Sequence, residues 1–161
     1  MTRKRGESIR MFTNGWIDKV TASVEKETKN LVDSIIENLQ YIGEAAVRIA
    51  RERGNYGNPT GSLRSSIGYI VLYDGEVVKE CEPVPFVGEN GNDGSNGVTA
   101  MRNLLEKIKA EYPRGIVLIV CAGMNYASYV EDIYGKDVLT SARLETERMA
   151  ESMLKELLSD D

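Results

Sequence analysis

"IGYIVLYDGEVVKECEP", residues 67–83, holds two β-rich runs on either side of Asp74-Gly75. An Asp-Gly pair flanked by such runs is a strong hairpin signal, because a type I′ turn needs positive φ at both central residues. The pair therefore predicts strands near 67–73 and 76–82 that run antiparallel. The rest of the fold is read outward from this hairpin.

Upstream, apolar residues recur at Ile17, Val20, Val24, Leu31, Ile35, Leu39, Ile42, Ala46 and Ile49. The steps are mostly three, four or seven residues, which is one stripe of an amphipathic helix. Thr13 or Asn14 can cap it, and Gly54 with "GNYGNPTG" ends it. A helix over 14–53 would span about 60 Å at its usual rise. Residues 1–13 read as a flexible basic arm. Downstream, "GENGNDGSNG" lies in a stretch, 88–97, too rich in Gly and Asn to build a core, and it reads as a flexible loop. Val98, Met101, Leu104, Leu105, Ile108 and Tyr112 then give a second helix, stopped by Pro113. "GIVLIVCA", 115–122, is a continuous apolar run, the pattern of a central strand covered on both faces. "KDVL", 136–139, suits a short strand. Thr140 or Ser141 caps a last helix that turns Ala142, Thr146, Met149, Met153 and Leu157 inward.

Strands and helices do not alternate in this order, so a doubly wound sheet is not expected. The reading is α+β: one domain over 14–161, with a long N-terminal helix, a small mainly antiparallel sheet, helices on one face and a C-terminal helix.

Composition excludes several kinds of chemistry. The 161 residues include no histidine, which removes the usual general base and the commonest metal ligand. Cys81 and Cys121 are too few for a disulfide framework and too far apart for a standard zinc site. Cys121 sits in an apolar run and Cys81 between two glutamates, so neither reads as an activated nucleophile. Aligning the Gly/Asn loop as a calcium loop on Gly97 puts Asn92, Gly94, Asn96 and Asn103 in ligand slots, without one carboxylate. No Gly-Lys-Ser/Thr follows the glycines, so the loop is not a phosphate-binding P-loop. No metal or cofactor is expected. No apolar run approaches the roughly 20 residues of a membrane span, and no apolar signal core opens the chain. The net charge is −5. Four basic residues against one acid give residues 1–10 a charge of +3, which leaves −8 for the remainder. A body this acidic is a poor grip for nucleic-acid phosphates.

Two short segments remain. "PTGSLRSSIGYIV", 59–71, places Thr60 and Gly61 before a turn in which Leu63 and Ile67 face one side. "AGMNYASYVED", 122–132, crowds Tyr126, Tyr129 and Glu131 past the exit of an apolar strand, with the tyrosines on one side if the segment is a helical turn. The pattern Thr60, Gly61, Leu63, Arg64, Ser66, followed later by Tyr126, Ala127, Tyr129, Val130, Glu131 and Gly135, resembles the minor structural proteins of long-tailed bacteriophages. Those are associated with tail completion or head–tail joining. The resemblance spans roughly residues 15–158 in element order. It implies a non-catalytic virion subunit that forms a homo-oligomeric ring between the portal-side connector and the tail tube, with DNA at most passing through. It also implies a subunit contact at Thr60, Leu63, Arg64, Tyr126, Tyr129 and Glu131, with Arg64 a partner for Glu131. Aromatic residues and arginine suit such contacts, since they bring large area with few rotors to freeze. Two rival readings stand beside it. One is a prophage- or host-encoded protein-binding module of the same fold. The other is a histidine-free hydrolase using Ser65 or Ser66, which requires a lysine beside that serine and an open pocket.

Overall fold

The computed structural model describes residues 16–53, 61–124 and 139–159. Four helices and three strands occur among them: α1 Trp16–Arg53, α2 Ser62–Ser65, β1 Ile67–Tyr73, β2 Glu76–Glu80, α3 Ser95–Lys109, β3 Ile116–Ala122 and α4 Thr140–Ser159. The fold is α+β. Contacts group the chain into two units, Met1–Ile35 and Ile36–Asp161, a division that falls inside the region read from sequence as one domain.

The hairpin forms as the Asp-Gly pair requires. Asp74 and Gly75 both take positive φ, 49° and 84°. The Asp74 carboxylate accepts from the Gly115 N–H at 2.8 Å, and the Asp74 N–H donates to the Gly115 carbonyl at 2.9 Å. That two-way bond ties the turn to the start of β3. Both strand pairings are antiparallel, and the sheet order is β2-β1-β3. A register shift between Val71 and Leu72 marks a bulge in the β1–β2 pair.

β1, not the apolar run at 115–122, is therefore the central strand. Six of its seven residues are buried, whereas Ile116–Val120 on β3 are only half-buried. Position in the sheet decides this. A strand with two neighbours loses solvent from both edges, and the residues of β1 also meet a helix on each face. Tyr69 points to α1, where an added Cβ on Gly43 would come within 2.6 Å of its ring. Gly68, on the opposite face, points to α3, where an added Cβ would meet the Met101 sulfur at 2.0 Å. The sheet is thus covered on both sides, where the sequence suggested one.

The core is the second half of α1 (Ile36, Ile42, Ala45, Ala46, Val47, Ile49, Ala50), β1, and the inner residues Met101 and Leu105 of α3. α4 contributes Ala142 to it, in keeping with its predicted inner stripe. In the first unit residues 18–31 of the same α1 are exposed, and Val20, Val24 and Leu31 are among the large apolar side chains left in solvent.

The stretch 88–97, read from sequence as a loop, is part loop and part helix. Ser95, Asn96 and Gly97 are the first turn of α3. Before them the chain closes on itself: the Gly88 N–H donates to the Asn92 carbonyl at 2.8 Å and the Gly91 N–H to the Gly88 carbonyl at 2.9 Å. Asn90 and Asp93 side chains accept from the amides two residues on. The Asn and Asp residues that looked like loop composition are building Asx turns. The basic arm at 1–13 lies outside the described residues, as does the strand expected near 136–139 apart from Leu139.

Candidate functional site

The motif Gly61-Ser-Leu-Arg-Ser-Ser66 is a structural joint. Gly61 has φ 73°, and a Cβ there would stand 1.8 Å from the Phe86 carbonyl oxygen. Only glycine satisfies both conditions. The four-residue α2 that follows buries Leu63 and Ser65, and Ser66 just after it is buried too, all at 3% exposure or less. The Ser65 hydroxyl donates to the Gly61 carbonyl at 2.7 Å and accepts from the Phe86 N–H at 2.7 Å. The Ser66 hydroxyl donates to the Leu63 carbonyl at 2.6 Å. The Phe86 amide is only part-buried, so losing this partner should cost about 1 kcal/mol. Gly123 N–H donates to the Ser66 carbonyl at 2.9 Å, so the joint also holds the end of β3. α3 approaches it backbone to backbone at Gly97, where a Cβ would lie 2.0 Å from the Ser62 carbonyl oxygen.

These placements sort the candidate residues. Leu63 is a core residue, not an exposed contact, because it seats α2 on the body. Ser65 and Ser66 are clamps with both hydroxyls turned to backbone, not hydroxyls presented to a substrate. Arg64 is half-buried. It lines a recess of about 300 Å³ with Glu44, Val47, Arg48, Arg51 and Phe86. Arg51 spans this region, its guanidinium 5.2 Å from the Phe86 ring centroid and donating to the Ile67 carbonyl at 2.9 Å. Thr60, Tyr126, Tyr129 and Glu131 lie outside the described residues.

A second recess, about 330 Å³, opens between α3 and the β1–β2 pair. Ile70, Val77, Met101 and Leu105 floor it, and Glu80, Arg102, Glu106 and Lys109 add charge to its lining. Cys81 lines it too, with its sulfur 3.8 Å from that of Met101 and accepting from the Tyr69 N–H at 3.3 Å. Burial pushes the Cys81 thiol up. Burial, then the nearby Cys81, pushes Cys121 up to about 12 from an ordinary 9.0. Burial also raises the Tyr69 phenol, which donates to Glu44 at 2.6 Å. Both thiols are buried and act as small apolar groups. Neither is expected to react with a thiol reagent at pH 8 in the native protein, and both should react once urea unfolds it. The linkage has a definite sign. The fold favours the neutral Cys121 thiol, so its contribution is fully present below pH 9 and is lost as pH rises toward about 12. Urea midpoints taken across pH 8–11 should fall, and a Cys121→Ala variant should show a shallower fall.

Among the described residues no group of three or more Cys, Asp or Glu is placed to hold a metal, and no helix is long and apolar enough to cross a membrane. The chain matches no family model, no curated protein and no solved structure.

The other notable surface is apolar and lies on helices. Val20, Val24 and Leu31 on α1 are 44%, 56% and 48% exposed, and Leu144 and Leu154 on α4 are 57% and 50% exposed. The α1 stripe is legible in the sequence as a helical spacing. The α4 pair interrupts a polar face and has no periodic signal of its own.

Proposed function

We propose that this chain is a non-catalytic structural protein of the tailed-phage neck, which completes the tail or joins it to the head by assembling into a ring. Its partners are further copies of itself, a connector on the portal side and the tail tube on the other. The observation that carries the reading is the apolar stripe of α1 in the first unit. A helix that leaves Val20, Val24 and Leu31 in water gains stability when another surface covers them. The Thr60–Ser66 motif supports the same reading in a different way. Its glycine and serines position backbone, which is what a shared motif does when it specifies a fold and not a reaction.

Mass spectrometry of purified particles, from a phage whose genome carries this gene, tests the proposal. The chain is expected in the particles. Deleting the gene should leave filled heads and separate tails in electron micrographs. Particles that lack the protein, and that join normally without the gene, would overturn it.

A further inference from the structure

Arg48, Arg51 and Arg64 line one recess of about 300 Å³ beside Val47 and Phe86. All five belong to the unit Ile36–Asp161. Arg48 and Arg51 are three apart on α1, so they are neighbours on its surface, and α2 supplies Arg64. Glu44 and Glu52 line the recess too, so three cations against two carboxylates leave it at +1, in a chain whose total is −5. Glu44 is already engaged by the Tyr69 hydroxyl at 2.6 Å. Arg48 is exposed and enters no ion pair among the described residues. Arg51 is fixed over the Phe86 ring and donates to the Ile67 carbonyl. Arg51 and Arg64 each have further partners. Yet the Nε atom of each is buried and has no acceptor, and among the described residues these two are the only buried side-chain nitrogens or oxygens in that state.

A buried N–H without an acceptor is costly, and a bond from a guanidinium to a carboxylate is among the strong ones. Two such atoms in the side chains of one recess call for an acceptor there, not for an apolar guest. An ionised carboxylate has about four acceptor sites and one negative charge, which matches the +1 of the lining. A doubly charged phosphate would meet Glu44 and Glu52 as like charges. Val47 and Phe86 give a short carbon stem an apolar wall. We infer that this recess binds the carboxylate of a short aliphatic acid group, held by Arg48, Arg51 and Arg64. The group is that of a free acid in solution or of an Asp or Glu side chain on a second copy of the chain. The site stands on this geometry alone and does not depend on the ring proposed above.

Sodium butyrate, titrated into the full-length protein at constant ionic strength, provides the test, with sodium chloride and sodium phosphate as comparisons. Nitrogen-15 NMR reads the arginine Nε–H signals directly. Those of Arg51 and Arg64 are expected to shift and saturate with butyrate, more tightly than with phosphate, and to stay in place with chloride. Arg48→Gln should weaken butyrate binding about tenfold, the loss of one charged hydrogen bond. Arg48 is exposed, so the backbone amide spectrum of this variant should remain that of the native fold. Arg64→Lys keeps the charge but removes the Nε–H, and should weaken binding by a similar factor. Dilution of the native protein separates the two sources. If a second copy supplies the carboxylate, the same two signals move on dilution, and butyrate releases monomer in native mass spectra. If the acid is free in solution, dilution moves nothing. The inference is overturned by shifts that are alike in butyrate and chloride, by tighter binding of phosphate than of butyrate, or by an unchanged affinity in Arg48→Gln.

Discussion

Tyr69→Ala is expected to destabilise the protein by about 3–5 kcal/mol, the cost of deleting a fully buried aromatic side chain and leaving a cavity. Tyr69 has 0% exposure and is the largest of the fully buried side chains among the described residues. Its ring lies against α1 at Gly43, which has no side chain to fill the space. Tyr69→Phe separates the ring from its hydroxyl. It removes the hydroxyl's bonds to Glu44, whose carboxylate is at the solvent edge, and to Gln40, and should cost about 1 kcal/mol. Urea unfolding gives both values from the shift in midpoint at constant slope. Equal costs for the two variants would mean that the ring does not anchor α1 to the sheet.

Gly61→Ala is the second large effect, for a different reason. A residue with a Cβ pays about 1–2 kcal/mol for the left-handed backbone. Here the Cβ must also displace the Phe86 carbonyl, which it would otherwise approach to 1.8 Å, and forcing such contacts costs typically 1–3 kcal/mol more. A total of about 2–5 kcal/mol is expected. Gly91→Ala is the internal comparison. Its φ is 87°, but nothing lies within 4 Å of the added carbon, so only the backbone part should appear. If the two substitutions cost the same in urea melts, the tight joint between α2 and Phe86 is wrong.

Local signals proved readable where they alone decide the structure. Asp74-Gly75 dictates positive φ at both positions, and the hairpin follows whatever surrounds it. The stripe from Val20 to Ile49 specifies one helix because its spacing repeats for eight turns or more. Sheet order is another matter. An apolar run such as 116–122 signals burial, but the number of neighbouring strands is set by the whole chain. Gly68 and Tyr69 make β1 look less apolar than β3. Yet that glycine is what admits Met101 and Cys81 to one face, while Gly43 on α1 admits the Tyr69 ring to the other. The close approaches at Gly61, Gly94 and Gly97 are equally silent in sequence, since a glycine needed for contact and a glycine in a loose loop are written alike.

The candidate residues divide along the same line. Leu63 and Ser66 belong to a recognisable motif, but a motif that fixes a backbone joint and one that forms a contact have the same letters. Burial separates them: Leu63 is in the core, and Arg64 borders a recess beside Arg51 and Phe86.

The most direct measurement is a reconstruction of the neck of an intact phage particle whose genome carries this gene. The account predicts a closed ring of this chain between the connector and the tail tube, its copies in contact with one another. A neck whose density is fully explained by other proteins, with this chain nowhere in the particle, would contradict it.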